Sequence, residues 1–169
     1  MKHVPITLLS ALLLSSFTAS AKQEINEQDS AIYAAVCHKT SEAEVRSLFK
    51  RWNDSLKTLS PEKVTANYSN DAVLLPTVSN TPRTTHAEID DYFVHFLQKH
   101  PQGVINKSHV KIGCDKAYDV GVYTFALKGA DGKVSHVVAR YSFVYEYKNG
   151  QWLITHHHSS AMPEKVAAH

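Results

Sequence analysis

Apolar residues follow two different rhythms along this chain. From Ser41 onward, Val45, Leu48, Phe49, Trp52, Leu56 and Leu59 recur at helical spacing, which gives a helix one apolar face. Ser41 and Glu44 have the spacing of a capping box, in which each side chain satisfies a free backbone N–H. Ser60-Pro61 restarts the chain, with serine as cap and proline in the first turn, and predicts a short helix ending near Tyr68. Residues 71–76 read as a short strand entering a polar loop over 77–84. Thr85 and Glu88 repeat the capping spacing, and a helix follows through Leu97 with Ile89, Phe93, Phe96 and Leu97 as its buried stripe.

After Pro101 the rhythm shortens to that of strands. Four segments stand out, over 107–114, 120–128, 133–147 and 151–160, with hairpin signals at Gly129-Ala130-Asp131-Gly132 and Asn149-Gly150. Helices first and an antiparallel meander afterwards predict an α+β domain. A long curved antiparallel sheet wrapped around the N-terminal helices would enclose a cone-shaped cavity, and its open face would be a natural dimer surface.

The first residues follow neither rhythm. Lys2 and His3 precede an apolar run over 4–17, too short to span a bilayer comfortably, and Ala19-Ser20-Ala21 gives an A-x-A cleavage signal. This predicts a signal peptide over 1–21, cut after Ala21, and a periplasmic or secreted protein. The expected organisation is then an N-terminal segment over 22–39 and a single domain over 40–169. No second apolar stretch is long enough for a membrane span. Charge adds little: 18 Lys and Arg face 16 Asp and Glu, with no basic stripe of the kind nucleic acid needs. Export gives the two cysteines, Cys37 and Cys114, an oxidising compartment, so a disulfide between them is expected.

Eleven histidines are many for this length, and three of them lie together in the last strand segment. Alternate residues of a strand share a face, so Trp152, Ile154, His156, His158 and Ser160 should line one side, and Leu153, Thr155, His157 and Ser159 the other. The first set starts apolar and ends polar, as in a strand running from a core to a pocket mouth. Three readings remain open. The histidines can be hydrogen-bonded filler. They can present a His-x-His pair to a metal, for which His86, His95, His109 and His136 are unplaced third ligands. They can also do metal-free acid–base work near neutral pH.

Trp152-Leu153-Ile154-Thr155-His156-His157-His158-Ser159-Ser160-Ala161-Met162-Pro163-Glu164 closely resembles the closing motif of iota-class carbonic anhydrases. Those enzymes are similar to the association domain of calcium/calmodulin-dependent protein kinase II, within the nuclear transport factor 2-like superfamily. The resemblance extends to residues 71–77, to Ile89-Asp90-Asp91-Tyr92-Phe93 and to 139–145. It implies the cone fold, homodimers built through the sheet, and reversible hydration of carbon dioxide to bicarbonate. It also implies catalytic residues Thr77, Tyr92, His158 and Ser160. Thr77, Tyr92 and Ser160 would hold the attacking water and steady the growing negative charge. His158 would take the proton or pass it to His156, and Tyr141 and Phe143 would wall the substrate pocket. Family members include metal-free enzymes and others that depend on zinc or manganese. The expectation here is no metal, with zinc as the alternative. A non-catalytic oligomerisation or ligand-binding module, or another small-molecule enzyme, would suit the same fold.

Overall fold

The computed structural model describes residues 37–163. The expected signal peptide, most of the segment 22–39 and the last six residues lie outside the described residues. Cys37 and Cys114 are disulfide-bonded, as an oxidising compartment leads one to expect.

Among the described residues, three helices precede the main run of strands or interrupt it. α1 spans Glu42–Leu56, α2 Pro61–Thr65 and α3 His86–Phe96, and a 3-10 turn, Leu97–Lys99, closes α3. Thr85 and Glu88 form the complete reciprocal capping box. At α1 only half of one forms. Ser41 accepts from the Glu44 backbone, while the Glu44 carboxylate takes the Thr40 hydroxyl instead. The apolar stripe of α1 is buried through Leu56. Leu59 falls outside it, because the chain leaves the helix and turns left-handed there (φ 54°), which leaves Leu59 exposed. α2 also stops earlier than its pattern suggests, so Tyr68 opens the next strand.

Five strands form one sheet: β1 Tyr68–Leu75, β2 Gln102–Ile112, β3 Lys116–Lys128, β4 Val134–Lys148 and β5 Gln151–Ala161. Their order is β1-β5-β4-β3-β2. The four-strand meander is antiparallel as expected, and β1 joins its edge parallel to β5. Asn149 and Gly150 both have positive φ, the geometry that a two-residue hairpin turn of this hand requires. With helices packed on one face of this sheet, the architecture is α+β.

The helices bury that inner face. The Phe49 ring meets Tyr123, Tyr141 and Phe143, and the Trp52 ring meets Phe125, Phe143 and His157. Asn53 fixes α1 on the sheet by a reciprocal pair with Gly103. Its amide donates to the Gly103 carbonyl at 3.0 Å, and its oxygen accepts the Gly103 N–H at 2.8 Å. Every backbone group so paired would cost more if it were buried alone.

Besides an irregularity between Tyr68 and Val73 where β1 pairs with β5, two bulges in the meander break the alternation of faces. In β2 the pairing steps from Ile105↔Tyr123 to Lys107↔Val122, leaving Asn106 as the extra residue. A Cβ on Gly121 would stand 1.9 Å from the Lys107 carbonyl oxygen, so only glycine admits this approach. Gly121→Ala is expected to cost about 2–3 kcal/mol, read as a lowered urea midpoint at unchanged slope. A midpoint equal to wild type would show that the β2 backbone yields freely. The second bulge decides the site. β5 pairs Ile154 with Tyr145 and His156 with Val144, so Thr155 is the unpaired residue.

Candidate functional site

The Thr155 bulge reverses which residues of β5 face inward. Trp152 and Ile154 are buried before it; after it the buried residues are His157 and Ser159. Cross-strand pairing agrees, since Phe143 stands opposite His157 and Tyr141 opposite Ser159. The expected placement of His156, His158 and Ser160 beside Trp152 and Ile154 is therefore corrected. His158 pairs with Ser142 and Ser160 with Arg140 on the outer face, where they border a shallow surface recess. His156 follows the same outward parity, opposite Val144. The period of two holds only along an unbroken strand, and one extra residue is enough to invert it.

The inner residues meet a cavity of about 50 Å³, enclosed by Trp52, Leu74, Phe93, Phe96, Phe125 and Leu127. That volume admits a few water-sized molecules. Its wall is mostly hydrocarbon and aromatic, with a few polar groups among it. Thr77, Tyr92, Tyr123, His157 and Ser159 all line it. Of the expected catalytic residues, then, Thr77 and Tyr92 reach the cavity, while His158 and Ser160 do not. Tyr141 and Phe143 also face inward, but they stand behind the wall. Phe143 stacks on the His157 ring at 4.0 Å and Tyr141 on Tyr123 at 4.9 Å. The Tyr141 hydroxyl is drawn away to Asp119 at 3.0 Å, where Ser108 also donates at 2.5 Å. Asp119 is fully buried, and this burial raises its carboxyl above the usual range.

The hydroxyl cluster is built from three elements. Tyr123 of β3 donates to Ser159 Oγ of β5 at 2.5 Å, and Ser159 shares a short hydrogen bond with Thr77, just beyond β1. The loop that carries Thr77 is closed by a two-bond bridge between Leu74 and Arg83. Since Ser159 already accepts from Tyr123, its own proton is free for Thr77, and the Thr77 hydroxyl can then donate into the cavity. Burial pushes the Tyr123 hydroxyl up to about 12 and Tyr92 higher still, so both stay protonated donors.

His157 is held in one tautomer by a relay. Trp52 Nε1 can only donate, and it donates to the Tyr68 hydroxyl at 3.0 Å. The Tyr68 proton then goes to its other partner, His157 Nδ1, at 2.9 Å. A neutral imidazole that accepts at Nδ1 carries its proton at Nε2. Burial holds His157 down to about 3, so it is neutral at working pH. Nε2 is buried and has no partner among the described residues. It is an N–H donor awaiting an acceptor.

Zinc does not match this donor set. A catalytic zinc takes three protein ligands from nitrogen, sulfur or carboxylate oxygen. Among the described residues the cavity offers one imidazole, whose second nitrogen is already committed, and otherwise hydroxyls. His86 is tied by Nε2 to the Tyr68 carbonyl at 2.9 Å. Among the described residues no three His, Cys, Asp or Glu gather.

Ser159, His157 and Tyr123 were not singled out from the sequence. Tyr123 had no local signal. The other two were visible as part of the His-His-His-Ser-Ser string, and the bulge chose between neighbours.

Comparison with known proteins follows the same outline. A family model described as the calcium/calmodulin dependent protein kinase II association domain matches residues 41–163. A crystal structure from Xanthomonas campestris, a candidate association domain of that kind, is 52% identical. The match covers 75% of this chain and 91% of that one at a TM-score of 0.73. An NTF2-like protein with a cystatin-like fold from Novosphingobium aromaticivorans is 11% identical over 92% of this chain and 94% of that one, TM-score 0.62. A candidate dehydratase of the NTF2-like family from Streptomyces avermitilis is 11% identical over 71% and 95%, TM-score 0.64. These last two likenesses show the fold alone. No functionally curated protein matches the chain.

Proposed function

The chain belongs to the calcium/calmodulin dependent protein kinase II association domain family, and from that premise we propose that its cavity hydrates carbon dioxide to bicarbonate. The observation that carries this reading is an apolar chamber of about 50 Å³ whose lining also includes Thr77, Tyr92, Tyr123, His157 and Ser159. Carbon dioxide is small and has no net dipole, so hydrocarbon walls suit it. The product carries a full negative charge, so donors are needed where that charge grows.

Each residue has a role in this scheme. The hydroxyl oxygens of Ser159 and Thr77 position a water. Its oxygen attacks the carbon, and one C=O electron pair moves onto the outer oxygen. The His157 Nε2–H and the Tyr92 and Thr77 hydroxyls donate to that oxygen. The water's proton leaves to solvent at the cavity mouth, and bicarbonate remains. His157 acts as a donor here and not as the base, because its depressed basicity disfavours holding a proton. The role first assigned to His158 passes to the solvent path, and the role of Ser160 passes to Ser159.

The rest of the reading concerns setting. The disulfide-bonded cysteines favour an oxidising compartment, in line with export to the periplasm or beyond. The outer sheet face carries Val120 and Val122 of β3 opposite Ser142 and Arg140, and Val138 and Val144 of β4 opposite Thr124 and Tyr118, and a homodimer would cover it. Oligomerisation fits the association-domain family.

Stopped-flow hydration with a pH indicator, on purified protein, tests the reaction. The expected kcat/KM is roughly 10⁴ M⁻¹ s⁻¹ or higher. A rate equal to the buffer background would reject the reaction and favour a non-catalytic binding or oligomerisation module.

A further inference from the structure

We propose that a basic recess beside the cavity binds a small monovalent oxyanion, with Arg83 as its main ligand and Lys99 and His95 beside it. The identity of that anion as bicarbonate rests on the hydration reading; the existence of the site does not.

The recess measures about 340 Å³ and is bordered by Arg83, His95 and Lys99. It shares Val78, Tyr92 and Phe96 with the inner cavity, so the two are neighbours across the Tyr92 ring. No carboxylate lines it. His95 and Lys99 stand four residues apart, which brings them to the same side of α3 and its closing turn. Arg83 forms no ion pair among the described residues, and its Nε is buried without an acceptor. A guanidinium ordinarily finds a carboxylate or a phosphate-like group to match its fork of donors. This one is half-buried, and no carboxylate among the described residues neutralises it.

Its position is also fixed. The Arg83 N–H donates to the Leu74 carbonyl at 2.9 Å, and the Leu74 N–H donates to the Arg83 carbonyl at 2.8 Å. The residue is therefore pinned to the edge of β1, beside the loop that carries Thr77. Its charge reaches the site, since it favours the ionised form of Tyr92 against the larger effect of burial. The consequence is directional. An anion formed in an apolar chamber is poorly solvated there, and a cationic recess next to the chamber attracts it. Neutral carbon dioxide is not held by the recess.

The test is a titration of ¹⁵N-labelled protein with sodium bicarbonate, followed by NMR against sodium chloride at equal ionic strength. Saturable shifts centred on Arg83, His95 and Lys99 are expected with bicarbonate alone. Arg83→Gln should weaken the apparent Kd about tenfold, and Lys99→Gln, which is exposed and does not threaten folding, about threefold. Shifts that match chloride, that grow without saturation, or that centre on Arg140 of the outer face would overturn the site. So would unchanged affinity in both variants. Saturable binding in a protein that fails to hydrate carbon dioxide keeps the recess and removes the reaction. Hydration without binding does the reverse.

Discussion

Ser159→Ala is expected to lower kcat/KM for carbon dioxide hydration by roughly a hundredfold, while Ser160→Ala stays within about twofold of wild type. The two serines are adjacent in sequence and chemically identical, so the contrast isolates direction alone. Ser159 is buried, accepts from Tyr123 and is hydrogen-bonded to Thr77. Removing it leaves the Tyr123 hydroxyl without its acceptor and the Thr77 hydroxyl without its orientation. Ser160 faces outward opposite Arg140. The loss of a buried hydrogen-bond partner also costs stability, about 1–3 kcal/mol. Urea denaturation therefore accompanies the kinetics, to show that Ser159→Ala is still folded. Equal losses in both variants, or a larger loss in Ser160→Ala, would mean that the inner face of β5 does not carry the reaction.

Folding stability should fall as pH drops from about 6.5 towards 3, and His157 should account for roughly 4–5 kcal/mol of it. In the unfolded chain a histidine takes up its proton near 6.5. In the folded protein His157 is fully buried and held down to about 3. Between those values the unfolded chain binds the extra proton, so acid favours unfolding. The stabilisation is complete above about 6.5 and is lost progressively as the pH falls to the folded value. Asp119 acts in the opposite sense, because burial raises its carboxyl and the folded state takes up that proton first. Urea midpoints at pH 7, 5 and 4 measure the effect. His157→Phe keeps a ring against Phe143 and should flatten the slope by about one proton. An unchanged slope would assign the acid sensitivity elsewhere. The same property predicts no step near pH 6.5 in the hydration rate from this imidazole.

Much of the fold was legible in advance because it depends on local patterns. The Thr85–Glu88 box, the apolar stripe of α1 through Leu56 and the Asn149-Gly150 turn are each specified by residues a few positions apart. The parallel pairing of β1 with β5 joins segments far apart in the chain, and no local rhythm announces it. Leu59 marks the same boundary on a small scale. Its spacing continues the stripe, but the backbone has already left the helix.

The site was half legible for the same reason. Thr77 and Tyr92 were placed through the family resemblance, and both line the cavity. Tyr123 and the Trp52–Tyr68–His157 relay are held by contacts between α1, β1, β3 and β5, which no single segment encodes. By itself the sequence determined which side chains were at hand: a run of imidazoles and hydroxyls at the end of an amphipathic strand. Only the tertiary structure decided which of them face the cavity. The direction of a side chain on a strand depends on register against its neighbour, and one bulged residue, Thr155, reverses every direction after it.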